Sequence, residues 1–472
     1  MFGKRFSILA VLVVLTLLLA SCGGSAATPT TAPPSGGTVA PSGGVTNTVA
    51  PSGAVTNTVA PSAAATDTVA PSSAVTNTVA PSGAMTGTTG TGANIGPVPS
   101  SPDQAPPVPN ATKQYSGQTI TYYGDVVGLG HQLDLAAVKQ FTQDTGIIVK
   151  IVPKPQSSTE NYATYQRFFQ AKSPDVDVMM LDVIWPGAFG DNLLDLSTKL
   201  ADQAKLNYPS IITNDTVKGK LVAMPWFGDF GMLYYRTDLL QKYGFSAPPK
   251  TWDELTQQAT KIMAGEKASN ANFAGFVFQG NAYEGLTCDA LEWIASSGGG
   301  TIIENGKVTL NNPKAIAALN TAKAWIGTIA PRGVTSYQEE DARGVWNAGN
   351  AAFMRNWPYA YASTKTPDPK TGQASPIADK FNVAPLPHGN DPTDQSVGTV
   401  GGWQLGVSAY SQHPDAAVEF VRYLTSPVVT KWRAIAGTFV PLQPAVASDP
   451  DVLKAQPYLA PMANVTRVTR PS

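Results

Sequence analysis

The sequence predicts mixed α/β structure in two lobes, set off from the start of the chain by a long polar spacer. Three observations lead there. From about residue 23 to 111 the chain is almost wholly Gly, Ser, Thr, Pro, Ala, Val and Asn, whereas nearly every Trp, Tyr and Phe lies beyond it. From Gln118 onward, short β-rich runs alternate with helical patterns, which is the arrangement of layered α/β packing. The 472 residues, 43% of them hydrophobic, also suffice for more than one core once the spacer is set aside.

In chain order, Lys4 and Arg5 form a charged leader start, and residues 8–20 form an apolar stretch too short to span a bilayer comfortably. Residues 1–21 therefore read as a signal peptide. Leu19-Ala20-Ser21-Cys22 resembles a bacterial lipobox, which predicts that Cys22 is lipidated and anchors the protein to the membrane. The plainer alternative is an ordinary leader with an incidental cysteine. With Cys22 acylated, Cys288 has no disulfide partner and is expected to be a buried thiol. Residues 22–114 read as a disordered linker. Within it, TVAPSGGVTN and its variants recur as a ten-residue unit across residues 38–87, without the large apolar side chains that stacked repeats must bury. A flexible tether of about 90 residues reaches roughly 50 Å root-mean-square.

The folded domain is predicted over 115–472. QTITYYGD reads as a strand, LDLAAVKQFTQDTG as an amphipathic helix stopped by Gly146, and IIVKIVP as the next strand, a βαβ opening. DVDVMMLDV reads as a buried strand ending at Asp182, the end at which open α/β sheets place ligand-binding residues. GKLVAMPWF is a further strand, and GMLYYRTDLLQKYG a strand running into a helix. Thr251 and Glu254 form a capping box ahead of TWDELTQQATKIM. YEGLTCDALEWIASSGGG, NNPKAIAALNTAKAWIG and HPDAAVEFVRYLTS read as helices. GNAAFMRNWPYAYA and GGWQLGVSAY contain aromatic-rich strands.

Taken in this order, these segments resemble the extracellular solute-binding proteins of ABC sugar importers. DVIWPGAFGDNLLDLS, PWFGDFGMLYYR, NWPY, GGW and the late RPS are most similar to the trehalose/maltose-binding branch. The resemblance implies a periplasmic-binding-protein fold of the second type, with lobe 1 at about 115–228 and 342–410, lobe 2 at about 229–341 and 411–472, and a hinge near residues 227–232. It implies an extracytoplasmic, monomeric receptor that binds an oligosaccharide, delivers it to ABC permease subunits, and needs no cofactor or metal. By matching motifs it carries over Asp182 and Asp229 as hydroxyl-binding carboxylates, Trp357, Tyr359 and Trp403 as aromatic walls, and Arg470 as a polar contact. Two departures stand out. The branch has an acid at the first strand-to-helix turn, where Gly130, His131 or Gln132 stands here. Relatives also continue past RPS into further helices, so the sequence reads as a fragment.

The residue types make chemical sense on their own. Sugars present hydroxyls at ring rims and C–H patches on ring faces, so a site needs charged acceptors and flat aromatics. Each residue also has a plainer reading: Asp182 as a helix cap, Asp229 as a turn residue, the three aromatics as core, and Arg470 as a solvated end. The main rival function is a secreted carbohydrate-active enzyme, because paired carboxylates among aromatics also describe a glycosidase. No Gly-x-Ser-x-Gly elbow, HExxH helix or phosphate-binding loop supports catalysis, and His131, His388 and His413 are far apart in the chain. A net charge of −1 gives no case for nucleic acid.

Overall fold

The computed structural model describes residues 95–125, 128–368 and 371–471. The leader, Cys22 and the repeats lie outside the described residues. β1 (Thr119–Gly124), α1 (Gly128–Thr145) and β2 (Ile148–Pro153) make the expected βαβ unit, with β1 and β2 parallel and Thr119 opposite Ile148. α1 starts a turn earlier than its apolar spacing announces, because glycines at 128 and 130 mask the helical signal. α2 (Ser158–Gln170) is capped by the Ser157 hydroxyl, which accepts from the Glu160 amide. β3 (Val178–Asp182) is buried along its whole length because both faces of its sheet are covered. Val178 and Met180 face the core shared with α1, whereas Met179 and Leu181 face the opposite core with Tyr165 and Trp185.

The chain then crosses between sheets. β4 (Met224–Phe230) belongs to the sheet of β1 to β3, and after Gly231 alone β5 (Met232–Arg236) begins a second sheet. α3 (Trp252–Glu266) opens on the predicted cap, the Thr251 hydroxyl accepting from the Glu254 amide. The Glu254 carboxylate reaches back to the Lys250 amide at 2.7 Å, so the box closes one residue early. β6 (Ala274–Val277), α4 (Glu284–Ser296), α5 (Pro313–Trp325), α6 (Glu339–Asn347), β7 (Ala351–Asn356) and β8 (Phe381–Ala384) complete this lobe, while α7 (Tyr359–Lys365) packs on both, with Ala360 and Tyr361 in the core of β5 and β7 and Ala362 in the core of β1 and α1. Its sheet runs β8-β5-β7-β6, with β7 antiparallel to β5 and parallel to β6. β9 (Val397–Val407), α8 (Pro414–Leu424), α9 (Pro427–Gly437) and β10 (Thr466–Val468) return to the first lobe.

Two lobes are present, but their later boundaries differ from those expected. Residues 342–356 and 381–384, expected in lobe 1, lie in lobe 2, because β7 is buried on both faces and takes β5 and β6 as its neighbours. Residues 414–437, expected in lobe 2, lie on lobe 1, where Phe420, Val421 and Trp432 share a core with Ile120, Leu133 and Phe141. The linker boundary also moves. Residues 95–114, placed in the spacer by composition, pack on lobe 1: Ala105 is buried, Val98 and Val108 lie against the core, and backbone carbonyls take the place of large side chains as partners. The Ser101 carbonyl accepts from Trp432 Nε1, and the Pro106 carbonyl from the Tyr423 hydroxyl.

Candidate functional site

A cavity of about 150 Å³ lies where the two lobes meet, and its lining includes Asp182, Asp229, Trp357, Tyr359, Trp403 and Arg470, all six residues singled out from the sequence. Strand register explains the convergence. β9 runs antiparallel between β3 and β4, which sets Trp403 opposite Asp182 and Gly401 opposite Asp229. The two acids, 47 positions apart in the chain, thus flank one Gly-Gly-Trp step. The step needs its glycines. Gly402 has φ +120°, and a Cβ there would sit 2.6 Å from the Phe227 carbonyl oxygen. A bulge between Trp403 and Gln404 then resets the pairing, as is common where strands aim side chains at a site.

Asp182 is buried at the end of β3, where its carboxylate accepts from Arg470 at 2.9 and 3.2 Å and from the Ile184 amide at 3.3 Å. Asp182 does not cap the helix that follows, whose N-cap is Trp185 with no side-chain bond, and its strongest partner comes from the tail. Arg470, which a place near the end of the sequence would leave solvated, is buried and bridges Asp182 to Glu284. Asp229 Oδ1 is shielded from solvent without a hydrogen-bond partner among the described residues. Burial pushes the Asp229 carboxyl well above the usual carboxylate range, with Arg355 opposing and Asp182 adding to the rise.

The aromatic residues serve packing and lining together. Trp357 lies under Arg355, whose Cζ is 3.8 Å from the ring centre, and donates Nε1 to Glu339 at 3.2 Å. Tyr359 stacks on Phe439 at 6.5 Å and donates its hydroxyl to Glu340 at 2.7 Å. Trp403 packs edge-on against Trp185, with Lys154 Nζ 4.9 Å from its ring centre. Several lining residues escaped the sequence reading. Asp125 follows β1 directly and forms a 3.0 Å ion pair with Lys154. An acid therefore stands at the first strand-to-helix turn after all. Gly130 is the small residue against which it packs, since a Cβ there would meet Asp125 Oδ2 at 2.4 Å. His131 is held at the same turn, its Nδ1 2.6 Å from the Asp125 carbonyl oxygen. Glu284, Glu339 and Glu340 come from first turns of α4 and α6, where acids also serve the helix dipole and so carry no distinctive signal in sequence. Among the described residues no cluster of His, Cys, Asp and Glu could hold a metal ion.

Residues 124–431 match the family described as "Bacterial extracellular solute-binding protein". A "Probable ABC transporter-binding protein" of Deinococcus radiodurans is 50% identical over 366 residues, covering 77% of this chain and 85% of that protein. Among solved structures, maltose-bound MalE3 of T. maritima is 39% identical with a TM-score of 0.69, over 75% of this chain and 90% of that one. A solute-binding protein of Agrobacterium radiobacter solved with ribitol is 25% identical with a TM-score of 0.64, over 74% of this chain and 86% of that one.

Proposed function

Since the chain belongs to the bacterial extracellular solute-binding protein family, whose members are receptors and not enzymes, we propose that it is the extracytoplasmic sugar-binding subunit of an ABC importer, taking a disaccharide of the trehalose or maltose type. The observation that carries this is the cavity between lobes, where Asp182, Asp229 and Glu339 converge with Trp357, Tyr359 and Trp403. Carboxylates accept ring hydroxyls and the aromatic faces meet C–H surfaces, so both halves of sugar recognition are present. The solved relative that holds maltose supports the same ligand class. The ribitol-bound relative makes linear polyols the natural control.

Cys22 would tether the receptor at the membrane, with the repeats as spacer, and the closed lobes would present the sugar to the permease as a monomer. Calorimetric titration and thermal shift against mono- and disaccharides and polyols test the ligand class. A disaccharide at a hundred times its Kd is expected to stabilise the protein by about 2.7 kcal/mol. Stabilisation by polyols alone, or by no carbohydrate, would sink this reading. Cys22→Ala is expected to release the protein from membranes or leave its leader uncleaved. A processed, membrane-bound variant would remove the anchor.

A further inference from the structure

At one edge of the cavity, the first turn of α2 in lobe 1 meets the first turn of α4 in lobe 2, and a single residue takes most of the contact. The Glu284 carboxylate accepts from the Ser158 hydroxyl at 2.8 Å, and the Glu284 amide donates to Thr159 Oγ1 at 3.1 Å. Its other carboxylate oxygen accepts from Arg470 Nη1 and from Cys288 Sγ. Arg470 follows β10, which is paired to β9 of lobe 1, and is itself held by Asp182. Three lobe 1 residues therefore grip one lobe 2 residue, while Cys288 on the next turn of α4 fixes its rotamer from behind.

We propose that Glu284 is the latch of the closed receptor: a positioning residue that sets affinity by holding the lobes together. The inference rests on the two-lobed receptor reading, but not on which sugar is bound. Each of its contacts with lobe 1 crosses from one lobe to the other, so an opening that parts the two first turns breaks it and the open–closed equilibrium is biased by its strength. A hydrogen bond of ordinary strength then changes the closed-to-open ratio by about two- to tenfold, and a charged one by more. Because a sugar enclosed by both lobes escapes only after opening, the same factor appears in its dissociation rate.

One variant separates this role from direct ligand contact, and a second tests the charge. Thr159 does not line the cavity, so Thr159→Val removes a latch bond without touching a bound sugar. Glu284→Gln keeps the acceptor for Ser158 and removes the charge that pairs with Arg470. Labels at exposed Lys139 of lobe 1 and Lys307 of lobe 2 report the lobe distance by single-molecule energy transfer. Without sugar, both variants are expected to lower the closed fraction, by about two- to tenfold in ratio for Thr159→Val. With a sugar that binds, they should raise the dissociation rate by similar factors at nearly constant association rate. A wild type that never closes without sugar, or a closed fraction identical in all three proteins, overturns the latch. Failure of every carbohydrate to bind the wild type would instead sink the sugar reading and leave the distance measurement standing.

Discussion

Asp229 and Asp182 are both acids at the cleft, yet their surroundings predict opposite responses to removal of charge. Burial raises the Asp229 carboxyl, and Oδ1 has no hydrogen-bond partner among the described residues. An acid whose folded pKa lies above its unfolded value holds more protons in the folded state, so stability falls as pH rises from the unfolded pKa through the folded one. Asp229→Asn removes that penalty. It is expected to melt higher than wild type at neutral pH, with the gap closing as pH falls toward the ordinary carboxylate pKa, and to bind sugar roughly ten- to a hundredfold more weakly through loss of charged hydrogen bonds. A lower melting point with unchanged affinity would return Asp229 to a structural turn. Asp182→Ala instead leaves the buried Arg470 with Glu284 as its remaining carboxylate partner, and is expected to cost up to about 3 kcal/mol of stability besides weakening binding. Denaturant titration reads that cost. The sequence gives no sign of this structural role for Asp182, because its partner lies 288 positions away and no local pattern pairs them. The same reason hid Lys154 and Glu284: each becomes a site residue only once the sheets bring distant turns together.

At the scale of elements, periodicity and caps were legible wherever a segment's partners are local. The βαβ opening, the Thr251 cap and the helices now seen as α3, α4, α5 and α8 stand where alternation, glycines and prolines place them. The assignment of β7 and α8 to lobes was not legible, because an all-apolar strand or a helix with one apolar face specifies that it is covered and not by what. The strap at 95–114 was missed for a related reason: its contribution comes from carbonyl groups and small side chains, which composition reads as linker. Removing it would orphan the buried donors of Trp432 and Tyr423. Two such donors at about 1 to 3 kcal/mol each predict that a chain beginning at 115 is about 2 to 6 kcal/mol less stable than one beginning at 95. Equal denaturation midpoints for the two chains would show that the strap adds nothing.

For the whole molecule, the passage between lobes at Gly231 joins the ligand site to the mechanics of closure. β4 and β5 belong to different sheets with this one residue between them, so a change in lobe angle must be absorbed at or beside it. Behind it Arg355 is fully buried between Glu292, at 2.6 and 2.9 Å, and Asp289, at 3.0 Å, and Glu292 also accepts the Thr399 amide of β9 at 3.0 Å. Charged groups of lobe 2 therefore grip a lobe 1 strand beside Gly231. Sugar binding is expected to reduce the radius of gyration in small-angle scattering, and an unchanged radius at saturation would argue against closure. Gly231→Ala tests the pivot itself. Its Cβ would fall 1.9 Å from Glu292 Oε1 and 2.8 Å from Arg355 Nη2, so the buried carboxylate must move and its ion pair must loosen. Breaking a buried pair costs about 3 to 5 kcal/mol, which sets the upper range for the variant. Gly187→Ala, where an added Cβ meets nothing within 4 Å, is the neutral control. If Gly231→Ala matches that control in both denaturation midpoint and sugar-dependent compaction, the pivot lies elsewhere.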